Sequence, residues 1–512
     1  MPETWSKSAK DAGHAKDAGH AKDAGNAKDA GNARDAENAD TARNASGAED
    51  PRKATLAGVD LHLELSGTRV RLGLETALRE AVRTGRLGPG TRLPSSRALA
   101  ADLGLARNTV AEVYSQLVAE GWLTARTGSG TSVAERRAVD PGPGAAARLE
   151  AVVPRYDLRP GEPDLSAFPR RAWLATARKA LAAAPDHLLG YPDPRGLPQL
   201  RAVLAGYLAR ARGVAAEPAH IVICAGFAHG LAVVCGALCS AGTGTLAVEA
   251  YGHQAHRGIA EAQGLRLRPL PVDGQGAVIG EVAGADAALL TPAHQFPLGV
   301  TLHPQRRREA ARWGGVVIED DYDGEFRYDR QPVGALQALA PDHVVYAGTA
   351  SKSLAPGLRL GWLVVPSRLL DAVTAQLAAA PATPSGLDQL TLAEFISSGG
   401  YDRQIRRARL AYRRRRDRLA AALRRQDLHV TGIAAGLHAV LELSRTDTER
   451  QLVARAAGHG LALEGLETHR AAGQGAAEPG RAGLVIGYGR PPEHAYTTAL
   501  ARLCAVLSAD GR

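Results

Sequence analysis

The sequence predicts an α/β protein built on a mainly parallel sheet, with a small helical unit ahead of it and a smaller α+β lobe behind. Three observations lead there. From residue 156 onward, short apolar runs rich in β-branched residues alternate with helical stretches. The runs are IVICAG (221–226), GTLAVE (244–249), AALLTP (287–292), VVIEDD (316–321), HVVYAGT (343–349) and GWLVVP (361–366). Residues 68–133 carry a different pattern of three short helical stretches and a two-stranded wing. A Pro-, Gly- and Ala-rich stretch, densest at 141–147, separates the two.

Taken in order, residues 1–55 read as a disordered tail. Residues 11–46 are a hexad repeat (DAGHAK, DAGHAK, DAGNAK, DAGNAR, DAENAD, TARNAS) without large apolar side chains. Such a segment cannot bury enough surface to offset the entropy of ordering. His14 and His20 lie six apart, which does not bring them to one helical face, so no metal site is expected there. Residues 60–134 form the small unit, in which Leu72, Leu74, Leu78 and Val82 are helically spaced. SSRALAADL (95–103) is a short helix, and RNTVAEVYSQLVAE (107–120) is a longer one with Val110, Val113, Tyr114 and Leu117 on one face. Trp122 to Thr124 reads as a strand, TGSGT (127–131) as a tight turn and Ser132-Val133 as the return strand. Residues 135–155 are the linker, 156–400 the large domain and 401–512 the small lobe.

Composition narrows the class. The chain of 512 residues is 45% hydrophobic, enough to bury a core over most of its length. No run of 18 apolar residues appears, and residues 1–50 lack a basic-then-apolar leader, so a cytoplasmic protein without a membrane span is expected. The four cysteines form no CxxC, which makes a disulfide framework improbable; Cys235 and Cys239 read as small buried hydrophobes. Net charge is +9, but unevenly placed: residues 1–50 carry −3, and residues 69–134 carry +4. Nine arginines crowd residues 403–418 against the single acid Asp417, as either a solvated helix or a surface for DNA.

The basic unit has the parts of a DNA reader. Arg107, Asn108 and Thr109 open the second helix of the helix-turn-helix, where side chains reach base edges. Arginine reads guanine and asparagine reads adenine, each through two hydrogen bonds. Arg92 and Arg97 are placed for phosphate, and Thr127 with Gly128 lets the wing backbone approach a groove. The bland alternative is a solvated basic face on an ordinary three-helix domain.

The large domain offers the side chains that pyridoxal 5′-phosphate requires, each at a strand end. Asp320 follows VVI. Lys352 follows HVVYAGT, with Thr349, Ser351 and Arg359 nearby as phosphate binders. AGFAHGL (225–231) follows IVIC and would turn the amides of Gly226, Phe227 and Ala228 toward a phosphate. Taken singly, each has a bland reading: a solvated loop, a surface lysine or a glycine turn.

The order of residues adds a resemblance. PGTRLPSSRALAADLGLARNTVAEVYSQLVAEGWLTARTGSGTSV resembles the winged helix-turn-helix of GntR-type regulators. The pieces DLRPGEPDLSAFP, GYPDPRGLPQLRAVLAGYLARARGV, TPAHQFPLG, IEDDYDGEFRY and GTASKSLAPGLRLG resemble fold-type I aminotransferases. Together they resemble the MocR subfamily of GntR regulators. That resemblance implies DNA contacts at Arg97, Arg107, Asn108, Thr109 and Gly128. It implies a Schiff base at Lys352, Asp320 against the pyridine nitrogen and Tyr322 on the ring hydroxyl. Thr349, Ser351, Arg359 and Gly226 to Ala228 would surround the phosphate. His253, or else Tyr251, would stack on the ring, and His294 and Gln295 would line its edge. A head-to-tail homodimer on paired DNA half-sites is implied too. The effector would be a small molecule such as a B6 vitamer, an amine or an amino acid.

One departure bears on function. Aminotransferases of this type hold the substrate carboxylate with an arginine just before a short apolar motif near the C-terminus. Here GLVIGYGR (483–490) places Val485 or a neighbour there, with Arg481 and Arg490 out of register. An apolar side chain cannot make that clamp. The expectation is therefore a transcriptional regulator that senses through pyridoxal phosphate. The alternative is an active aminotransferase with a DNA-binding appendage, and a third class is a scaffold binding DNA by charge alone.

Overall fold

The computed structural model describes residues 52–56, 59–63, 70–126, 130–135, 154–328, 333–379, 382–444, 446–471 and 481–508. Most of the tail, most of the linker, and the wing residues Thr127 and Gly128 lie outside this range. The chain divides into two units, Met1–Leu149 and Glu150–Arg512.

In the first unit, helices Val70–Arg83, Ser96–Leu103 and Arg107–Ala119 precede the paired strands Leu123–Arg126 and Gly130–Val133. Ser95 caps the second helix by accepting the Ala98 N–H at 3.1 Å. Leu74, Leu78, Leu99, Val110, Val113 and Leu117 meet in one core, each worth about 1.5–3 kcal/mol when fully buried. Leu72 is about half exposed and lies off that face, although its spacing suggested otherwise. A strand pair, Arg52–Leu56 with Val59–Leu63, begins inside the span expected to be tail. The alternation Val59, Leu61, Leu63 was its visible signal.

The second unit is built on a seven-stranded sheet. The spatial order is Ile221–Cys224, Gly361–Val364, Val344–Thr349, Val316–Asp320, Ala287–Leu290, Thr245–Glu249, Arg266–Leu270. All neighbours pair in parallel except Gly361–Val364, which runs antiparallel to both of its neighbours. The central strands are fully buried and read as continuous apolar runs, as a sheet covered on both faces requires. The edge strand Arg266–Leu270 is half exposed and alternates polar and apolar residues around Pro269. That alternation hides it among the continuous apolar runs of the other strands. The small lobe has a four-stranded antiparallel sheet, including His438–Leu443 and Ala482–Gly487, packed with helices Gly400–Arg424 and Glu493–Ser508 around a separate core.

Candidate functional site

In the first unit the helix Arg107–Ala119 presents Arg107 and Asn108 to solvent, with Thr109 half-buried behind them. Tyr114 anchors the helix by donating to the Pro94 carbonyl at 3.1 Å. Asn108 borders a shallow hollow shared with Arg71, Ala111, Glu112, Ser115 and Gln116. Arg71 was not anticipated, because its place beside Asn108 depends on how two helices pack. Arg97 is exposed in the first turn of the preceding helix. Arg92 bridges Ser132 through its backbone, and its guanidinium lies against Gly130 in the wing.

In the second unit the chemistry gathers where the parallel strands end. Asp320 closes Val316–Asp320, is almost fully buried, and leaves Oδ1 without a hydrogen-bond partner. Burial raises its pKa well above the usual range, against the pull of the Lys352 ammonium. Lys352 follows Val344–Thr349 and donates its Nζ proton to the Gly161 carbonyl. Burial lowers the Lys352 pKa, opposed by Asp320, Asp323 and Glu162. Gly161 belongs to the PGEP turn, and only the fold brings it 191 residues back to Lys352.

Of the residues expected around a phosphate, Arg359 lies against the start of the helix Phe227–Ser240. Gly226 precedes it with φ +80, a conformation that favours glycine. A Cβ there would lie 3.5 Å from Arg359 Nη1, so the guanidinium stands over the start of the helix. Thr349 Oγ1 lies 2.9 Å from Ser351 Oγ and accepts the Ser351 N–H at 3.1 Å. His229 was not anticipated. Its Nδ1 accepts the Ala225 N–H at 3.0 Å, and its Nε2 is buried without a partner.

His253 stacks on Phe296, with ring centroids 3.9 Å apart and planes 10° apart. Burial and the neighbouring His256 push its pKa down to about 2, so the ring is neutral. Tyr251 instead joins an apolar cluster, and its hydroxyl accepts the Arg481 N–H at 2.9 Å. Gln295 turns inward, donating to the carbonyls of Tyr251 (2.8 Å) and Phe296 (2.6 Å) and accepting from Leu298 N–H (3.0 Å). It braces the loop that carries His294 and Phe296. Tyr322 and Asp323 both contact His294 Nδ1, at 3.1 and 2.7 Å.

Val485 sits in Ala482–Gly487, in register with Val440, at 0% exposure. It packs with Ala250, Tyr251, Leu298, Val440 and Leu466, whereas Leu484 and Ile486 face the small-lobe core. Arg490 pairs with Asp157 and Glu162, and Arg481 with Glu442.

Comparison with known proteins places this arrangement. The family model "Aminotransferase class I and II" matches residues 157–465, and "Bacterial regulatory proteins, gntR family" matches residues 71–133. "HTH-type pyridoxine biosynthesis transcriptional regulator PdxR" of Corynebacterium glutamicum is 33% identical over 453 residues, covering 86% of this chain and 96% of that one. "Probable rhizopine catabolism regulatory protein MocR" of Rhizobium meliloti is 32% identical, covering 80% and 88%. The chain belongs to the MocR subfamily of GntR-type transcriptional regulators. Among solved structures, this MocR-type chain is similar to a Pyrococcus horikoshii kynurenine aminotransferase, with TM-score 0.63 and 21% identity over 72% of this chain and 94% of that one. An archaeal alanine:glyoxylate aminotransferase gives 0.62 and 22% over 69% and 91%. These likenesses show the fold-type I aminotransferase fold in the second unit of the MocR-type regulator.

Proposed function

We propose that this regulator binds pyridoxal 5′-phosphate in its aminotransferase-like unit and senses it, without turning over an amino acid. Pyridoxal phosphate supplies an aldehyde that an amine captures and a ring nitrogen that carries a proton. The residues fit it. Lys352 is half-buried and interacts electrostatically with Asp320, whose unpartnered Oδ1 suits an N–H donor from the ring. Gly226, Arg359 and the start of the helix form a cradle for the phosphate. His253 offers a neutral ring for stacking, and Thr349 with Ser351 adds hydroxyl donors.

The observation that carries the sensing reading is Val485. The place where a carboxylate clamp is expected is sealed by apolar side chains from both lobes. A carboxylate forced there would be buried without a partner, at a cost of about several kcal/mol. The site thus accepts the cofactor and refuses the second substrate of a transaminase. The likeness to PdxR, a pyridoxine biosynthesis regulator, supports vitamin B6 supply as the regulated function. A homodimer on paired half-sites belongs to the same reading. Helix Arg170–Ala183 has no buried residue, and Leu174, Leu181, Leu189 and Tyr191 are exposed, a face that a second copy would cover.

The test is an absorption titration of the purified chain with pyridoxal phosphate, with and without promoter DNA. A visible band that Lys352→Ala removes, and that L-amino acids leave unchanged, is the expected result. Sustained keto-acid production abolished by Lys352→Ala would establish the enzyme instead.

A further inference from the structure

We propose that Glu112 selects a base, by accepting a hydrogen from a cytosine amino group, and that Arg71 is the phosphate anchor that lets this acid approach DNA. The inference rests on the DNA-reading role of the first unit and is independent of the pyridoxal phosphate reading. Helix Arg107–Ala119 buries Val110, Val113, Tyr114 and Leu117. At about 100° per residue, Asn108, Glu112 and Ser115 fall on the side away from those four, and all three are exposed. Glu112 therefore stands one turn beyond Asn108 on the same face. Ala111 is small and leaves a hollow there, which Arg71, from the first turn of helix Val70–Arg83, also lines.

The charges of this unit separate Glu112 from its neighbours. Arg79 joins Glu75 and Glu120, and Arg83 joins Glu80. Gln116, on the same helix, is engaged with Glu120 at 2.9 Å. Among the described residues, the side chains of Glu112 and Arg71 have neither an ion pair nor a hydrogen bond, although both line one hollow. On a face that meets a polyanion, a carboxylate repels the phosphates unless it finds a hydrogen to accept.

The major groove decides which hydrogen that can be. A carboxylate only accepts. Guanine presents N7 and O6 there, and thymine presents O4, all of them acceptors. Donors come from N4 of cytosine and N6 of adenine, and adenine carries the acceptor N7 beside its donor. Glu112 therefore favours cytosine, takes adenine less well, and rejects guanine and thymine. Asn108 has both a donor and an acceptor and fits adenine through two bonds. Selection by Glu112 works as much through refusal as through attraction. The Arg71 guanidinium, beside the same hollow, can grip two phosphate oxygens. It offsets the repulsion of the acid without reading sequence.

The experiment selects duplexes from a random pool with the full chain. The selected duplex and its single-pair variants are then titrated at several salt concentrations, with wild type, Glu112→Gln, Glu112→Ala, Arg71→Ala and Arg71→Lys. Both side chains are exposed, so these variants keep the fold. Wild type should recover a motif with a position where cytosine is preferred about 5- to 20-fold. Both Glu112 variants should lose the preference at that position alone, and should bind the mismatched duplexes more tightly than wild type does. Arg71→Ala should weaken every duplex alike, about 3- to 10-fold, and reduce the slope of log affinity against log salt by about 0.9. Arg71→Lys should keep that slope. Base choice that neither Glu112 variant alters overturns the proposal. So does an Arg71→Ala chain whose salt slope is unchanged or whose base choice shifts. A wild-type chain that recovers no motif refutes the DNA-reading role itself, and that failure shows before any variant is made.

Discussion

At the scale of single residues, Asp320 and Arg107 make opposite demands on their surroundings. Asp320 keeps an oxygen without a partner inside the protein, a cost that a ligand N–H would offset. Asp320→Asn removes a charge-assisted bond worth about 1.5–3 kcal/mol. It should weaken pyridoxal phosphate binding about 10- to 100-fold in equilibrium dialysis, while leaving the melting temperature of the ligand-free chain unchanged or higher. Arg107 is exposed at the start of its helix. Arg107→Ala should cost about 1–3 kcal/mol at the operator and relax base choice in a footprint or a selection. Histidines add a pH signature. Burial holds His256 and His469 at about 4, against about 6.5 in an unfolded chain. As pH falls below about 6.5 the unfolded chain takes up protons that the folded one refuses, so these two residues withdraw stability toward pH 4. Glu249 and Glu325, raised to about 7 by burial, act with the opposite sign over about pH 7 to 4.5. The readout is therefore a difference: His256→Asn/His469→Asn should make stability rise more steeply on acidification than wild type does in urea melts at pH 7, 6 and 5. Asp320 and Lys352 could be picked from the sequence because one closes a buried apolar run and the other lies three residues after one. Gly161, Asp323 and His229 could not, because their tasks arise from contacts between segments or from one unpartnered atom.

At the scale of elements, the arginine run 403–418 shows what composition conceals. Helix Gly400–Arg424 is amphipathic, and its arginines fall on both faces. Arg403, Arg406, Arg407, Arg409, Arg413 and Arg414 are exposed, while Arg415 is 2% exposed. Arg415 joins Asp164 at 2.7 Å and Glu493 at 2.9 Å and donates to the Pro491 carbonyl at 2.7 Å. It ties the start of the large domain to the end of the small lobe. Arg415→Ala leaves Asp164 buried without its cation and should cost about 3–5 kcal/mol in chemical denaturation. Arg407→Ala should stay within about 0.5 kcal/mol of wild type. Helical periodicity gave the position of this helix, with Ile405, Ala408, Tyr412 and Leu419 on its buried face. Which arginine is internal depends on a partner 251 residues away, which no local pattern encodes.

At the scale of the whole molecule, a DNA-reading unit and an aminotransferase-like unit share one chain but have separate cores. Any communication between them is a coupling free energy, and it must be reciprocal. If pyridoxal phosphate changes operator affinity by some factor, operator DNA changes pyridoxal phosphate affinity by the same factor. A coupling of 1–3 kcal/mol, typical of such systems, is about 5- to 150-fold. Two titrations on the full chain check it, one of labelled operator with and without saturating cofactor, the other of cofactor absorbance with and without saturating operator. Equal factors are expected. They should collapse to one in Lys352→Ala, because a ligand with no differential affinity for two states shifts neither. A sizeable effect on DNA that survives Lys352→Ala would mean that the phosphate cradle at Gly226 and Arg359 carries the signal without covalent capture, and that the lysine is dispensable for sensing.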